Sequence, residues 1–250
     1  MKRGLLLIDR GSREQEAKNE LEYICKKIQQ KRDYAYVNYC FLEVVPPYIE
    51  EGITNCHKEE IDALTIVPYF LYPGKKVKNA VTEAAKLQAK TKVKFVVTKP
   101  MSMHKSMVEI VNSKIELALK KNSIALSNNK VDVLVIGHGS KDPNAQISMK
   151  YVIDNLRPSY RNVEHCFLEI EEPNIAQGIQ KCDKNNPEVL VIVFYFLHEG
   201  AHVKRDIHQD LNPALEKSTL KKTIITEHIG TDDKMIDFVL ERVREAENAN

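Results

Sequence analysis

The sequence predicts an α/β protein with two similar lobes, each a four-stranded parallel sheet flanked by helices. Two observations support this prediction. The second half of the chain repeats the first, and in both halves short apolar runs alternate with longer amphipathic segments. That alternation is typical of β-α-β units, in which helices connect parallel strands and cover the faces of the sheet.

The internal repeat is clearest in three blocks that keep a nearly constant offset. The blocks of the first half that recur in the second are residues 5–13 (LLLIDRGSR) at 133–141 (VLVIGHGSK), 40–43 (CFLE) at 166–169 (CFLE), and 69–71 (YFL) at 195–197 (YFL). Such self-similarity over the whole chain indicates a duplication, so each function-bearing position of one half has a counterpart in the other.

The apolar runs give the strands in order, and the helices fill the intervals between them. We predict strands at residues 3–9, 35–43, 61–70 and 93–98, and then at 131–137, 163–169, 188–197 and 222–227. Residues 122–130 are rich in Asn and Ser and lack apolar periodicity, which is typical of a linker. The prediction is therefore a first lobe at residues 1–121, a linker at 122–130 and a second lobe at 131–250.

Composition excludes several classes of function. With 37 Lys and Arg against 35 Asp and Glu, the net charge of +2 is too small to favour nucleic acid as a partner. The apolar run that follows Arg3 is too short for a secretory signal or a membrane span. Five cysteines, an odd number without close pairs, favour a reducing compartment. We expect a cytoplasmic protein that binds neither nucleic acid nor a membrane.

Three polar residues lie at or just beyond the carboxyl ends of strands of the second lobe, at the same edge of the predicted sheet. These residues are His138, Glu169 and His202. Ligands of open parallel sheets bind at the carboxyl ends of the strands, where the loops converge. Imidazole and carboxylate groups bind first-row divalent ions such as iron, cobalt, nickel and zinc, and both groups exchange protons in catalysis. The second lobe therefore contains a candidate metal site.

Each of these residues also has an ordinary interpretation. A histidine such as His138 at a strand end is either a ligand or a surface hydrogen-bonding residue, and Glu169 recurs as Glu43, which is also expected of a helix cap. Residues 198–202 (HEGAH) match the H-E-x-x-H pattern of zinc proteases, which requires both histidines on one helix. Because the pattern follows a predicted strand and contains Gly200, we reject the protease interpretation.

The motifs of the second lobe resemble those of a known family. Residues 135–141 (VIGHGSK), 167–169 (FLE) and 196–203 (FLHEGAHV) are similar to the three signature blocks of the sirohydrochlorin chelatases, the class II chelatases of siroheme and cobalamin synthesis. The resemblance covers both halves, as in the two-lobed members. It implies a chelatase-like fold with the tetrapyrrole in a cleft between the lobes, and metal insertion without ATP or an organic cofactor.

The resemblance also implies roles for the three residues. His138 and His202 match the metal-binding histidines of the family, and Glu169 matches their acidic partner, so all three are expected to be metal ligands and catalytic residues. The divalent ion is a substrate. We expect Fe²⁺, with Co²⁺ or Ni²⁺ as alternatives, because siroheme is the commoner need among family members. A noncatalytic carrier of the tetrapyrrole or the metal is the alternative from another class.

The first lobe departs from the family pattern. Arg10 and Lys76 stand where the motifs have histidines, and neither side chain binds a metal cation without losing a proton. Cationic groups suit a substrate that carries many carboxylates, although a solvated basic rim has the same composition. The residues that we expect to bind the tetrapyrrole are Arg10, Ser12, Arg13, Lys76 and Ser140.

Overall fold

The computed structural model describes residues 2–198, 200–230 and 232–249, with the backbone alone at residues 201–207. The first sequence repeat contains β1 (Arg3–Asp9), α1 (Gln15–Lys31), β2 (Tyr36–Phe41), α2 (Ile49–His57), β3 (Ala63–Pro68), α3 (Lys75–Gln88), β4 (Lys94–Val97) and α4 (Lys105–Lys121). The second contains β5 (Val131–Gly137), α5 (Pro143–Leu156), β6 (Asn162–Phe167), α6 (Ile175–Lys184), β7 (Val189–Phe194), α7 (Ala201–Glu216), β8 (Thr223–Ile225) and α8 (Asp233–Asn248).

The strands form two separate four-stranded sheets, as the sequence predicts. Their orders are β2-β1-β3-β4 and β6-β5-β7-β8, and all neighbouring strands are parallel. All eight predicted strands are confirmed, although several end earlier than the apolar runs that predict them. For example, β7 ends at Phe194, whereas the predicted strand continues to Leu197, because the apolar residues Tyr195 and Phe196 are also buried beyond the end of the strand.

Helices cover both faces of each sheet, which explains why β1, β3, β5 and β7 are apolar almost throughout. In the first sheet, alternate residues such as Leu6 and Ile66 pack against α2 and α3, and α1 and α8 contact one another as well as the sheet. In the second sheet, α6 and α7 supply the matching core, and α4 and α5 pack together. None of the described helices has the length and hydropathy that crossing a membrane requires.

The last helix of each repeat belongs to the other compact unit. The first unit consists of Met1–Ser102 with Thr231–Asn250, and the second unit consists of Met103–Gly230. Thus α4 packs against β7, β8 and α5, whereas α8 packs against β3, β4 and α1. These boundaries differ from the predicted lobes at 1–121 and 131–250 with a linker at 122–130. The difference arises because an amphipathic helix can pack against either of two similar sheets.

The five cysteines are free and buried. Burial raises the pKa of each thiol, to about 12 for Cys25, Cys56 and Cys182, so the reactive thiolate does not form near neutral pH. Cys40 and Cys166 occupy equivalent positions and contact Gly52 and Gly178, where an added Cβ would lie 2.8 and 2.7 Å from the cysteine Cβ. The cysteines therefore serve packing rather than chemistry.

We predict that a chain with residues 231–250 joined by a short linker to residues 1–102 folds by itself, whereas the fragment 1–121 does not. Near the end of α8, Glu247 pairs with Arg3 and accepts a hydrogen bond from Thr65 at 2.7 Å, so a short connection suffices. Fragment 1–121 lacks α8 and retains α4, whose side chains pack against β7 and β8 in the full chain. We expect α4 to fit β3 and β4 less well than α8 does, so that part of their apolar face stays in water. Circular dichroism and thermal unfolding distinguish the two; a cooperative transition in fragment 1–121 alone would contradict the division.

Candidate metal site

His138 and Glu169 lie side by side because their strands are neighbours. β5 is paired with β6 on one side and β7 on the other, and Gly137, the last residue of β5, is in register with Phe167. The pairing continues beyond the strands: Leu168 N donates to Gly137 O at 2.9 Å, and Glu169 N donates to His138 O at 3.1 Å. The main chain therefore fixes the two residues opposite one another before their side chains interact.

Gly139 makes this close approach of the two loops possible. It has φ +93°, a conformation that suits glycine, and a Cβ added here would lie 1.9 Å from Glu169 O. The first unit has the same arrangement, with Gly11 at φ +104° against Glu43 O. Each motif therefore requires glycine at this position, because the glycine packs against the carbonyl oxygen of the glutamate.

The side chains of His138 and Glu169 have the separation expected of two ligands of one ion. His138 Nε2 and Glu169 Oε1 are 3.3 Å apart. Ligand atoms that bind one ion at about 2.1 Å are roughly 3.0 Å apart at an octahedral right angle and roughly 3.4 Å apart in a tetrahedron. Both atoms can therefore bind the same divalent ion with little movement of either side chain.

The imidazole of His138 is oriented in a way that suits a metal ligand. Its Nδ1 lies 3.3 Å from Gly139 O, and donation from Nδ1–H to this carbonyl would leave the lone pair of Nε2 facing Glu169. Metal-binding histidines usually donate their other ring N–H in this manner. A lone pair and a carboxylate at this distance repel one another unless a proton or a cation lies between them. The pair therefore favours the binding of positive charge.

Glu171 is a residue of the site region that the sequence analysis did not identify. Its Oε1 accepts a hydrogen bond at 2.6 Å from the backbone N–H of Ser140, two residues after His138. The first lobe has Val45 at the matching position. The second lobe has an acid where the first has an apolar residue, two positions after a glutamate that both lobes share. This difference is the sequence signal that could have identified Glu171.

The predicted ligand His202 lies outside the residues whose side chains the structure describes. Its backbone is in the first turn of α7, which begins at Ala201 after the loop that follows β7. Gly200 precedes the helix with an extended backbone, so His198 lies outside α7. The two histidines of the HEGAH segment therefore do not share a helix, and the rejection of the zinc-protease interpretation is confirmed.

In the first unit the equivalent carboxylate is bound by two cations. Glu43 Oε1 accepts a hydrogen bond from Arg10 Nε at 3.0 Å, and Lys76 Nζ lies 2.6 and 2.5 Å from the two carboxylate oxygens of Glu43. The hydrogen bond from Lys76, with a smaller effect of Arg10, lowers the pKa of Glu43. The two residues that replace histidines thus supply positive charge to the glutamate that remains.

The other predicted substrate-binding residues lie in the same loops. Ser12 Oγ accepts a hydrogen bond from Glu14 N, and Ser140 Oγ accepts one from Asp142 N, each at 3.1 Å, so both serines stabilise the turns that precede α1 and α5. Arg13 is exposed. Contact of these residues, and of Arg10 and Lys76, with a tetrapyrrole stays a prediction.

Comparisons with known proteins give one consistent result. A family model described as CbiX matches the chain twice, at residues 4–118 and 132–246. The sirohydrochlorin cobaltochelatase of Priestia megaterium is 28% identical over 209 residues, which cover 81% of this chain and 67% of that protein. The sirohydrochlorin ferrochelatase of the same organism is 21% identical over 245 residues, which cover 96% of this chain and 89% of that protein.

A solved structure has the same fold. SirB from Bacillus subtilis with Fe³⁺ superimposes with a TM-score of 0.84 at 23% sequence identity, and the match covers 100% of this chain and 97% of that one. The prediction of two four-stranded parallel sheets flanked by helices is therefore confirmed by the sheet topology and by this likeness.

We predict that Lys76→Ala raises the pKa of Glu43, because Lys76 makes the larger contribution to its lowered value. A carboxylate with a lowered pKa stabilises the fold above its ordinary pKa and loses that effect as the pH falls through the lowered value. The variant should therefore be less stable than the unmodified protein near neutral pH, and its stability should change less as the pH is lowered. A carbon-detected NMR titration of Glu43 measures the shift, with Lys75→Ala as the control; the same pKa in Lys76→Ala as in the unmodified protein would contradict the prediction.

Proposed function

Because the chain belongs to the CbiX family, we propose that it is a sirohydrochlorin chelatase, a cytoplasmic enzyme that inserts a divalent metal ion into the tetrapyrrole. The observation that supports this proposal most directly is the 3.3 Å separation of His138 Nε2 and Glu169 Oε1. The names of the two relatives from Priestia megaterium describe the same reaction class with two different ions.

In the proposed reaction, His138 and Glu169 hold the ion and release it to the macrocycle. The side chains of these residues are 37% and 58% exposed, so a flat substrate has access to the ion. A structural metal site usually surrounds its ion completely, whereas a site with free positions allows ligands to exchange. His202 is proposed as a third ligand because it matches the second motif histidine of the family.

Insertion also requires a base, since two pyrrole N–H bonds break while four bonds between nitrogen and the metal form. The charge of the divalent ion balances the two protons that leave the ring. Imidazole and carboxylate groups are both used as general bases by enzymes, and they are released from the metal as the macrocycle takes it. We propose that Glu169 and His138 receive these protons and pass them to water.

The proposed ion is Fe²⁺, with Co²⁺ and Ni²⁺ as alternatives. Imidazole and carboxylate ligands bind all three, and the affinity of such ligands rises from iron to nickel. Preference among the ions therefore depends on their supply and on the geometry that the site imposes. Competition between the ions in one assay measures this preference directly.

We predict that Glu169→Gln lowers kcat for metal insertion by at least about 100-fold, the usual contribution of a general base. The matched control is Glu43→Gln, which changes the equivalent residue of the first lobe and should leave kcat within about twofold. The assay follows the absorption spectrum of sirohydrochlorin with Fe²⁺, Co²⁺ or Ni²⁺ in turn. His138→Ala should lose activity as well.

Two results would contradict the proposal in different ways. Chelation that persists in both Glu169→Gln and His138→Ala would contradict the site. A rate with the unmodified protein that does not exceed the uncatalysed rate for any of the three ions would instead favour a noncatalytic carrier.

A further inference from the structure

The residue that follows the candidate glutamate has a strained backbone. Ile170 has φ +74°, and Glu171 N donates a hydrogen bond to Glu169 O at 2.8 Å, so residues 169–171 form a γ-turn of the rare, strained kind. Positive φ is unfavourable for a β-branched residue, and glycine or asparagine would relieve the strain. The identity of residue 170 is therefore not explained by the conformation of its main chain.

Packing within the second unit does not explain the residue either. Among the large apolar side chains of the described residues, Ile170 has the greatest exposed fraction, 55%. An isoleucine that remains in water contributes little hydrophobic stabilisation while it bears the cost of the unfavourable φ. Strain of this kind persists at ligand-binding sites, where the surrounding structure holds it in place.

The surroundings of Ile170 hold the turn firmly. Gly139 packs directly against Glu169 O, Glu169 N donates to His138 O at 3.1 Å, and Ser140 N donates to the side chain of Glu171 at 2.6 Å. The turn is thus attached at both ends to the loop that carries His138. Its position relative to the two candidate metal ligands is fixed, and its one apolar side chain points away from the core.

We propose that Ile170 is a substrate-contact residue that packs against the apolar face of the tetrapyrrole while His138 and Glu169 deliver the metal ion. This inference rests on the proposed function. A conjugated macrocycle is flat and apolar on its faces, and it carries its carboxylates at the rim. A β-branched side chain has few rotamers, so it forms a stiff support beside the ion. The contact sets the height of the ring above Glu169.

The first lobe provides a matched control within the same chain. Val44 has φ +77° and is 45% exposed, and Val45 N donates to Glu43 O at 3.0 Å, so the same strained turn is present there. In that lobe, however, Glu43 is bound by Arg10 and Lys76. Strain is therefore common to both turns, whereas a metal-binding neighbour is proposed for only one.

The experiment compares Ile170→Gly with Val44→Gly in the full chain. Both substitutions relieve backbone strain, so each should keep or raise the melting temperature. Ile170→Gly should also weaken binding of metal-free sirohydrochlorin about tenfold, as expected for the loss of one partly buried apolar contact, and raise KM by the same factor with little change in kcat. Val44→Gly should change the dissociation constant and KM less than Ile170→Gly does, because Glu43 beside it is already bound by Arg10 and Lys76. Ile170→Val should keep the dissociation constant and KM near those of the unmodified protein.

Binding is measured by titration of the absorption of metal-free sirohydrochlorin, which requires no turnover. If Ile170→Gly binds and turns over like the unmodified protein, the inference fails while the proposed function stands. If the unmodified protein binds sirohydrochlorin without inserting a metal, the proposed function fails and the binding comparison still decides the role of Ile170. Absence of binding by the unmodified protein would overturn both.

Discussion

The candidate site depends on one backbone contact, the packing of Gly139 against the carbonyl of Glu169. With the hydrogen bond from Glu169 N to His138 O, this contact joins the loops that follow β5 and β6. His138 and Glu169, which follow two different strands and are some thirty residues apart in sequence, thus have their Nε2 and Oε1 atoms 3.3 Å apart. The approach requires glycine at this position, since the Cβ of any other residue would clash with the carbonyl oxygen of Glu169 at 1.9 Å.

The same main chain serves opposite electrostatic purposes in the two repeats. In the second repeat the imidazole of His138 lies beside Glu169. In the first repeat the positively charged side chains of Arg10 and Lys76 pair with Glu43. A duplicated fold therefore carries one carboxylate available to a metal ion and one already neutralised. Few side-chain changes are needed for this difference, because the backbone that positions them is the same.

The sequence predicts the strands, the sheet edge and the pair of His138 and Glu169, because these follow from apolar periodicity and from the topology of parallel sheets. It does not predict that α4 and α8 pack on the unit of the other repeat, since the apolar face of a helix does not specify which of two similar sheets it covers. The sequence also does not predict the hydrogen bond between Glu171 and Ser140, which joins residues distant in sequence, or the turn at Ile170, since a β-branched residue disfavours positive φ. The sequence shows that Arg10 and Lys76 stand where the motifs have histidines, but it does not predict that both side chains pair with Glu43.

The most direct test of the account is where a paramagnetic ion binds. Co²⁺ added to isotope-labelled protein broadens the NMR signals of nearby residues, and backbone amides can be followed at matching positions in the two repeats. The account predicts that substoichiometric Co²⁺ broadens the signals of Gly139 and Glu169 more strongly than those of Gly11 and Glu43. Broadening that is strongest at Gly11 and Glu43 would contradict it.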